Sequence, residues 1–169
     1  MGLLDFVKNA GAKIFGGDDK EEKAAAQAAA DAEARAQRRK LEKAKKERTL
    51  LNHLKAMGIE VEDPVIDYDG AVVTLGGKVK TQADSEKAAL TVGNVQGVEA
   101  VNNNLEVTNP EPEAQYHTVA SGDTLSKIAK KFYGNAMKYP VIFEANKPML
   151  KDPDKIYPGQ VLRIPPLAD

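Results

Sequence analysis

Between Lys20 and Arg48 the chain offers one large apolar side chain, Leu41, in a run made almost wholly of Ala, Glu, Lys, Arg, Gln and Asp. Such a run favours helix, because nearly all of these residues are good helix formers. It cannot supply a core face or a coiled-coil seam, since both need apolar residues recurring every three to four positions. Pairs such as Glu42 with Lys46 support a solvated helix instead. The core must therefore come from the rest of the 169 residues. A second discontinuity, Asn109-Pro110-Glu111-Pro112, cuts that remainder again. Its two prolines make a stiff, extended joint, so two small domains are expected rather than one.

Composition narrows the chemistry. Cysteine is absent, which removes disulfides, thiolate metal sites and cysteine nucleophiles together. Net charge is −1, but residues 49–109 carry four Lys/Arg against nine Asp/Glu, a balance of −5. That acidity disfavours nucleic acid and mildly favours a cation. No run approaches the length of a membrane span. The opening stretch lacks a basic n-region, Asp5 and Lys8 interrupt any apolar core, and Phe6 breaks the myristoylation pattern. A cytoplasmic monomer is expected.

Residues 3–15 place Leu3, Phe6, Val7, Ala10 and Ile14 at helical spacing, predicting a short amphipathic helix that Gly11 or Gly16-Gly17 can end. From Leu50 the apolar stripe of Leu50, Leu51, Leu54 and Met57 predicts a helix closed by Gly58. Val65–Tyr68 and Ala71–Leu75 read as strands joined by Asp69-Gly70, a hairpin signal. Thr81 can cap a helix through Val92 that Gly93 ends, and Val101, Leu105 and Val107 alternate along a last strand. The order α-β-β-α-β packs two helices on an antiparallel or mixed sheet. The strand motif Ala71-Val72-Val73-Thr74-Leu75-Gly76-Gly77-Lys78-Val79, then Val92-Gly93-Asn94-Val95-Gln96-Gly97-Val98 leading into Val101–Val107, resembles the BON family.

Beyond the proline joint, Tyr116–Ala129, Phe132-Tyr133-Gly134, Ile142-Phe143-Glu144-Ala145-Asn146 and Ile156–Pro165 together resemble a complete LysM module. Tyr116–Val119 and Val161–Ile164 can pair as two strands, and Asp123 and Thr124 can cap a helix bearing Leu125, Ile128, Ala129 and Phe132. Asn146 stops a second helix, and Pro158-Gly159 turns the chain into the last strand. The fold class is α+β: a BON-like domain followed by a LysM-like β-α-α-β module. Residues 1–17 are expected to form an N-terminal segment packing on the BON-like domain, and 18–48 an alanine-rich charged helix or spacer. The BON-like domain covers 49–108, the linker 109–114 and the LysM-like module 115–166.

Catalytic constellations are wanting. His53 and His117 have no motif partners, Ser121 is not flanked as a nucleophile elbow, and no phosphate loop or calcium-loop spacing occurs. A binding protein, not an enzyme, is expected. The whole architecture resembles the bacterial cytoplasmic potassium-binding family of BON–LysM proteins. The opening Met1–Gly11, the stretch Val92–Val98 and Phe143–Leu150 carry that likeness, and residues 19–48 depart from it as an alanine-rich expansion. The resemblance implies a potassium ion held by the backbone carbonyls of Val7, Ala10, Gly93, Val95 and Val98, with the LysM module docked on the BON domain. The LysM resemblance alone implies the alternative, an N-acetylglucosamine-containing glycan of peptidoglycan type, bound between Gly122–Leu125 and Ile142–Lys147.

Overall fold

The computed structural model describes residues 19–167. The helix predicted over residues 3–15, with Val7 and Ala10, lies outside them. The chain divides into two compact units, residues 1–42 and 43–169. In the first, every side chain from Lys23 to Glu42 is exposed, as a run without an apolar stripe requires.

Helix α1 runs from Asp19 to Ala56 without interruption. The expected boundary between spacer and domain at Arg48 is therefore not a break in the chain's local structure. Neither glycine nor proline stands near Arg48 to stop the helix; only its surroundings change, when Leu50 and Leu54 become fully buried. Burying each leucine contributes about 1.5–3 kcal/mol.

Strand β1 (Glu62–Asp69) pairs antiparallel with β2 (Val72–Thr81), and β3 (Ala100–Asn109) pairs parallel with β2, giving a mixed sheet of order β1-β2-β3. Both hairpin strands are longer than the sequence pattern suggests, since backbone pairing continues past the apolar residues. The hairpin loop is Gly70-Ala71 rather than Asp69-Gly70: Asp69 pairs with Val72, and positive φ falls on Gly70. Val73 and Leu75 point into a core shared with Leu50, Leu54, Ala88 and Val92. Helix α2 (Gln82–Gly93) crosses between β2 and β3, capped by Thr81, whose hydroxyl accepts the Asp84 N–H at 3.1 Å.

The second core belongs to the C-terminal module. Strands β4 (Gln115–Thr118) and β5 (Val161–Ile164) pair antiparallel, with Gln115 opposite Ile164 and Thr118 opposite Val161. Helix α3 (Leu125–Tyr133), a 3₁₀ turn (Ala136–Lys138) and helix α4 (Tyr139–Ala145) lie between them. Leu125, Ile128, Ile142, Leu150 and Leu162 form the buried centre. Buried Asn146 brackets it: its amide donates to the Ile142 and Arg163 carbonyls at 2.7 and 2.8 Å, and its oxygen accepts the Arg163 N–H at 2.8 Å. Thr124 caps α3 by accepting the Lys127 N–H. Asp123, expected to share that role, instead accepts the Ala120 N–H at 2.9 Å and meets His117 Nε2 at 2.8 Å. His117 thus has the partner its sequence context did not reveal.

Candidate functional site

The three described residues of the expected ion set, Gly93, Val95 and Val98, lie on the last residue of α2 and the loop that follows. The last turn of a helix leaves carbonyls without intrahelical partners, and these carry partial negative charge. Here the Asn94 N–H reaches the Leu90 carbonyl at 2.9 Å, and the Val95 N–H reaches Val92 at 3.1 Å. The Val98 N–H then donates to the Val95 carbonyl at 3.0 Å. Among the described residues, the Gly93 and Val98 carbonyls accept no hydrogen bond.

Gly93 does not end the helix in a left-handed conformation, as its sequence position suggests. It remains helical, Asn94 follows with φ −84°, and the left-handed residue of the loop is Gly97 at φ +86°. A Cβ at 93 would lie 3.4 Å from Val101 Cγ2, a close but tolerable contact. A cleft of about 340 Å³ borders Gly93, with Leu90, Val101, Asn103, Tyr116 and Val161 in its walls.

Side chains that sequence reasoning did not single out grip the loop. Lys46 extends from α1 and donates to the Gln96 carbonyl at 2.9 Å instead of pairing with Glu42 along the helix. Its ammonium stands 5.7 Å from the centre of the Tyr68 ring, and the Tyr68 hydroxyl reaches the Gly97 carbonyl at 3.5 Å. Val95 and Val98 pack their side chains on the BON core. Asn94 faces the C-terminal module, where its amide donates to the Val161 carbonyl at 3.2 Å and its oxygen accepts the Val161 N–H at 3.0 Å. Earlier on α2, the buried Glu86 carboxylate pairs with buried Arg163 and accepts the Ala114 N–H at 2.9 Å. Tyr116 stands at this seam; burial, reinforced by the Glu86 charge and opposed by Arg163, pushes its phenol up to about 12.

The stretches expected to line a glycan groove share the module's core through Leu125 and Ile142. Gly122 takes φ +82°, and its carbonyl accepts the Lys127 ammonium at 2.7 Å. Ser121, Thr124 and Lys147 stay exposed. No helix among the described residues is long and apolar enough to cross a membrane.

Residues 42–109 match the BON domain family and residues 117–165 the LysM domain family. The chain is 44% identical over 170 residues to the potassium binding protein Kbp of Escherichia coli, covering 98% of this chain and 99% of that protein. An uncharacterized protein of Deinococcus radiodurans is 32% identical over 130 residues, 70% of this chain and 51% of its own length. An esterase of Mycobacterium tuberculosis shares 47% identity over 53 residues, 31% of this chain and 11% of the esterase. The near-complete span of the first relative, joined to the mixed BON sheet and the two-stranded LysM module, places this chain in the family of Kbp, with a BON domain followed by a LysM domain.

Proposed function

We propose that the protein is a cytoplasmic potassium-binding protein, not an enzyme, with the ion held by the carbonyls of Gly93, Val95 and Val98 together with those of Val7 and Ala10. The observation that carries this reading is the run of carbonyls at the negative end of α2, of which those of Gly93, Asn94 and Val98 accept no hydrogen bond among the described residues. Val95 can join them because a carbonyl oxygen has a second lone pair beyond the one used by Val98 N–H. Potassium suits such a site, since protein carbonyls can replace its hydration shell. Zinc or calcium would call for clustered imidazoles, thiolates or carboxylates. Among the described residues no group of three such side chains is placed to hold a metal. The printed function of Kbp, potassium binding, supports the same choice. The LysM module then serves as a docked partner of the BON domain through Asn94–Val161 and Glu86–Arg163.

Thermal melts of the full chain in matched potassium and sodium chloride series test this. A ligand that binds only the native state adds RT ln(1 + [L]/Kd), about 2.7 kcal/mol at a hundredfold excess over Kd. Screening of the acidic BON domain would act equally for both salts. Potassium should raise Tm well above sodium at equal ionic strength; superimposable curves would sink the reading. The LysM match at 117–165 supports a second reading, glycan binding along Gly122–Leu125. Titrating the full chain with chitooligosaccharide in sodium and in potassium separates the two.

A further inference from the structure

We propose that Lys46 is the positioning residue of the ion loop: a tethered ammonium that fixes Asn94–Val98 by taking up the Gln96 carbonyl. The proposal rests on the potassium reading above. Five consecutive peptide groups follow Gly93, and their carbonyls would otherwise be interchangeable acceptors for any cation. The structure breaks that equivalence from the side of α1 and β1. The Gln96 carbonyl is occupied by Lys46 at 2.9 Å, whereas the Tyr68 hydroxyl only approaches the Gly97 carbonyl, at 3.5 Å, longer than a normal hydroxyl hydrogen bond. Those at Gly93, Asn94 and Val98 accept no hydrogen bond among the described residues, and that of Val95 accepts the Val98 N–H. One carbonyl at the middle of the loop, that of Gln96, is thus taken up by a fixed side chain.

Lys46 is itself held. Its ammonium rests 5.7 Å from the Tyr68 ring centre, a cation–π arrangement. Tyr68 is pinned through its backbone N–H, which donates to Glu47 on the next position of α1 at 3.1 Å. Glycine at 97 is required by the backbone, which holds φ at +86°; a Cβ there would meet Lys46 Nζ only at 3.8 Å, an ordinary contact. A side chain 50 residues away in sequence therefore sets the shape of a loop that has few hydrogen bonds of its own.

The two effects of an ammonium beside a cation site have opposite signs, which makes a test decisive. As a clamp, Lys46 raises affinity by ordering the loop in advance. As a charge alone, it repels the ion and lowers affinity. Calorimetric titrations of the full chain with potassium and with sodium should compare the wild type, Lys46→Met and Lys46→Arg. Lys46→Met is expected to weaken potassium binding about fivefold, the scale of one hydrogen bond, and to narrow the potassium-to-sodium ratio. Lys46→Arg, which keeps a cationic donor, should recover most of the loss. Hydrogen exchange of the Val95 and Val98 amides, followed without potassium, should speed up in Lys46→Met and not in Lys46→Arg. Unchanged or tighter potassium binding by Lys46→Met would overturn the clamp. If the wild type binds no potassium, the ion reading falls on its own, and the exchange data then decide the clamp: equal protection in wild type and Lys46→Met would refute it.

Discussion

Among the described residues three helices finish near a glycine, and one of the three finishes differently. At the end of α1, Gly58 adopts φ +70°, its N–H reaches the Lys55 carbonyl at 3.0 Å, and the Ile59 N–H reaches Leu54 at 3.1 Å. That is the Schellman arrangement, which turns the chain back on the last-turn carbonyls and satisfies them. At the end of α3, Gly134 takes φ +71° and donates to Lys130 at 3.0 Å, the single-bond version of the same closure. At α2 the left-handed glycine comes late. Gly93 stays helical, Asn94 has φ −84°, and the reversal waits until Gly97. A delay of three residues leaves the helix end open. A closed end is a structural stop, whereas an open one presents oxygen atoms to a ligand.

An open end is destabilising unless its helix is secured elsewhere, and α2 is secured by the buried pair of Glu86 and Arg163. The largest effect is therefore expected at Arg163. Arg163→Ala strands a buried carboxylate and should cost about 3–5 kcal/mol, read as a shift in the urea midpoint. Replacing both partners together, Glu86→Gln with Arg163→Met, should cost less than Arg163→Ala alone. A loss below about 1 kcal/mol for Arg163→Ala would reduce the pair to the worth of an exposed one.

The next test sets the closed and open ends against each other. Gly58→Ala forces a side chain into the left-handed region and should cost about 1–2 kcal/mol, with potassium affinity unchanged. Gly93→Ala should be near neutral in stability, because helical φ there gains about 0.5–1 kcal/mol of propensity to set against the 3.4 Å contact with Val101. Gly93→Val adds branching into that contact and should weaken potassium binding about tenfold, a displacement worth about 1.4 kcal/mol. Asp67→Asn, a carboxylate on the hairpin, should weaken it less. If Asp67→Asn proves the more damaging, the ion sits at the hairpin and the helix-end comparison fails.

Much of this was legible in the residues. Thr81 and Gly58 declare their helix boundaries because each stands at the edge of an apolar stripe, where few other conformations are available. The two strands at the ends of the module were legible, but the one expected at Tyr116–Val119 runs one residue earlier, Gln115–Thr118, against Val161–Ile164. Val92–Val98 was harder, since it contains two glycines and nothing local says which one is left-handed. Gly93 stays helical and the positive φ falls on Gly97. Lys46 itself looks like any lysine of a charged helix, and its partner lies 50 residues on. Glu86 and Arg163 are 77 residues apart, and neither residue type suggests burial. The proposed ligands are the least legible of all, because every residue has a carbonyl; they entered through family resemblance, not through side-chain chemistry.

The smallest expected effect lies in the closed module, at the turn before α3, where a carboxylate does what the open end of α2 leaves undone. Asp123 accepts the Ala120 N–H at 2.9 Å and faces His117 Nε2 at 2.8 Å. The Ala120 N–H first, and His117 second, hold its carboxyl below the usual range. A carboxylate with a depressed folded pKa contributes stability that is fully present above the unfolded pKa of about 3.9 and lost as pH falls through the folded one. Asp123→Asn keeps an acceptor oxygen and removes the charge, so it isolates this contribution. Urea midpoints should show the wild type ahead of Asp123→Asn at neutral pH, with the gap closing below about pH 4. The increment in stability from potassium at neutral pH should be the same in both proteins, because the turn before α3 holds none of the proposed ligands. A gap that persists unchanged into acid would mean that the amide fails for geometric reasons and that the charge of Asp123 contributes nothing. A reduced potassium increment would mean that the closed turn and the open helix end are coupled.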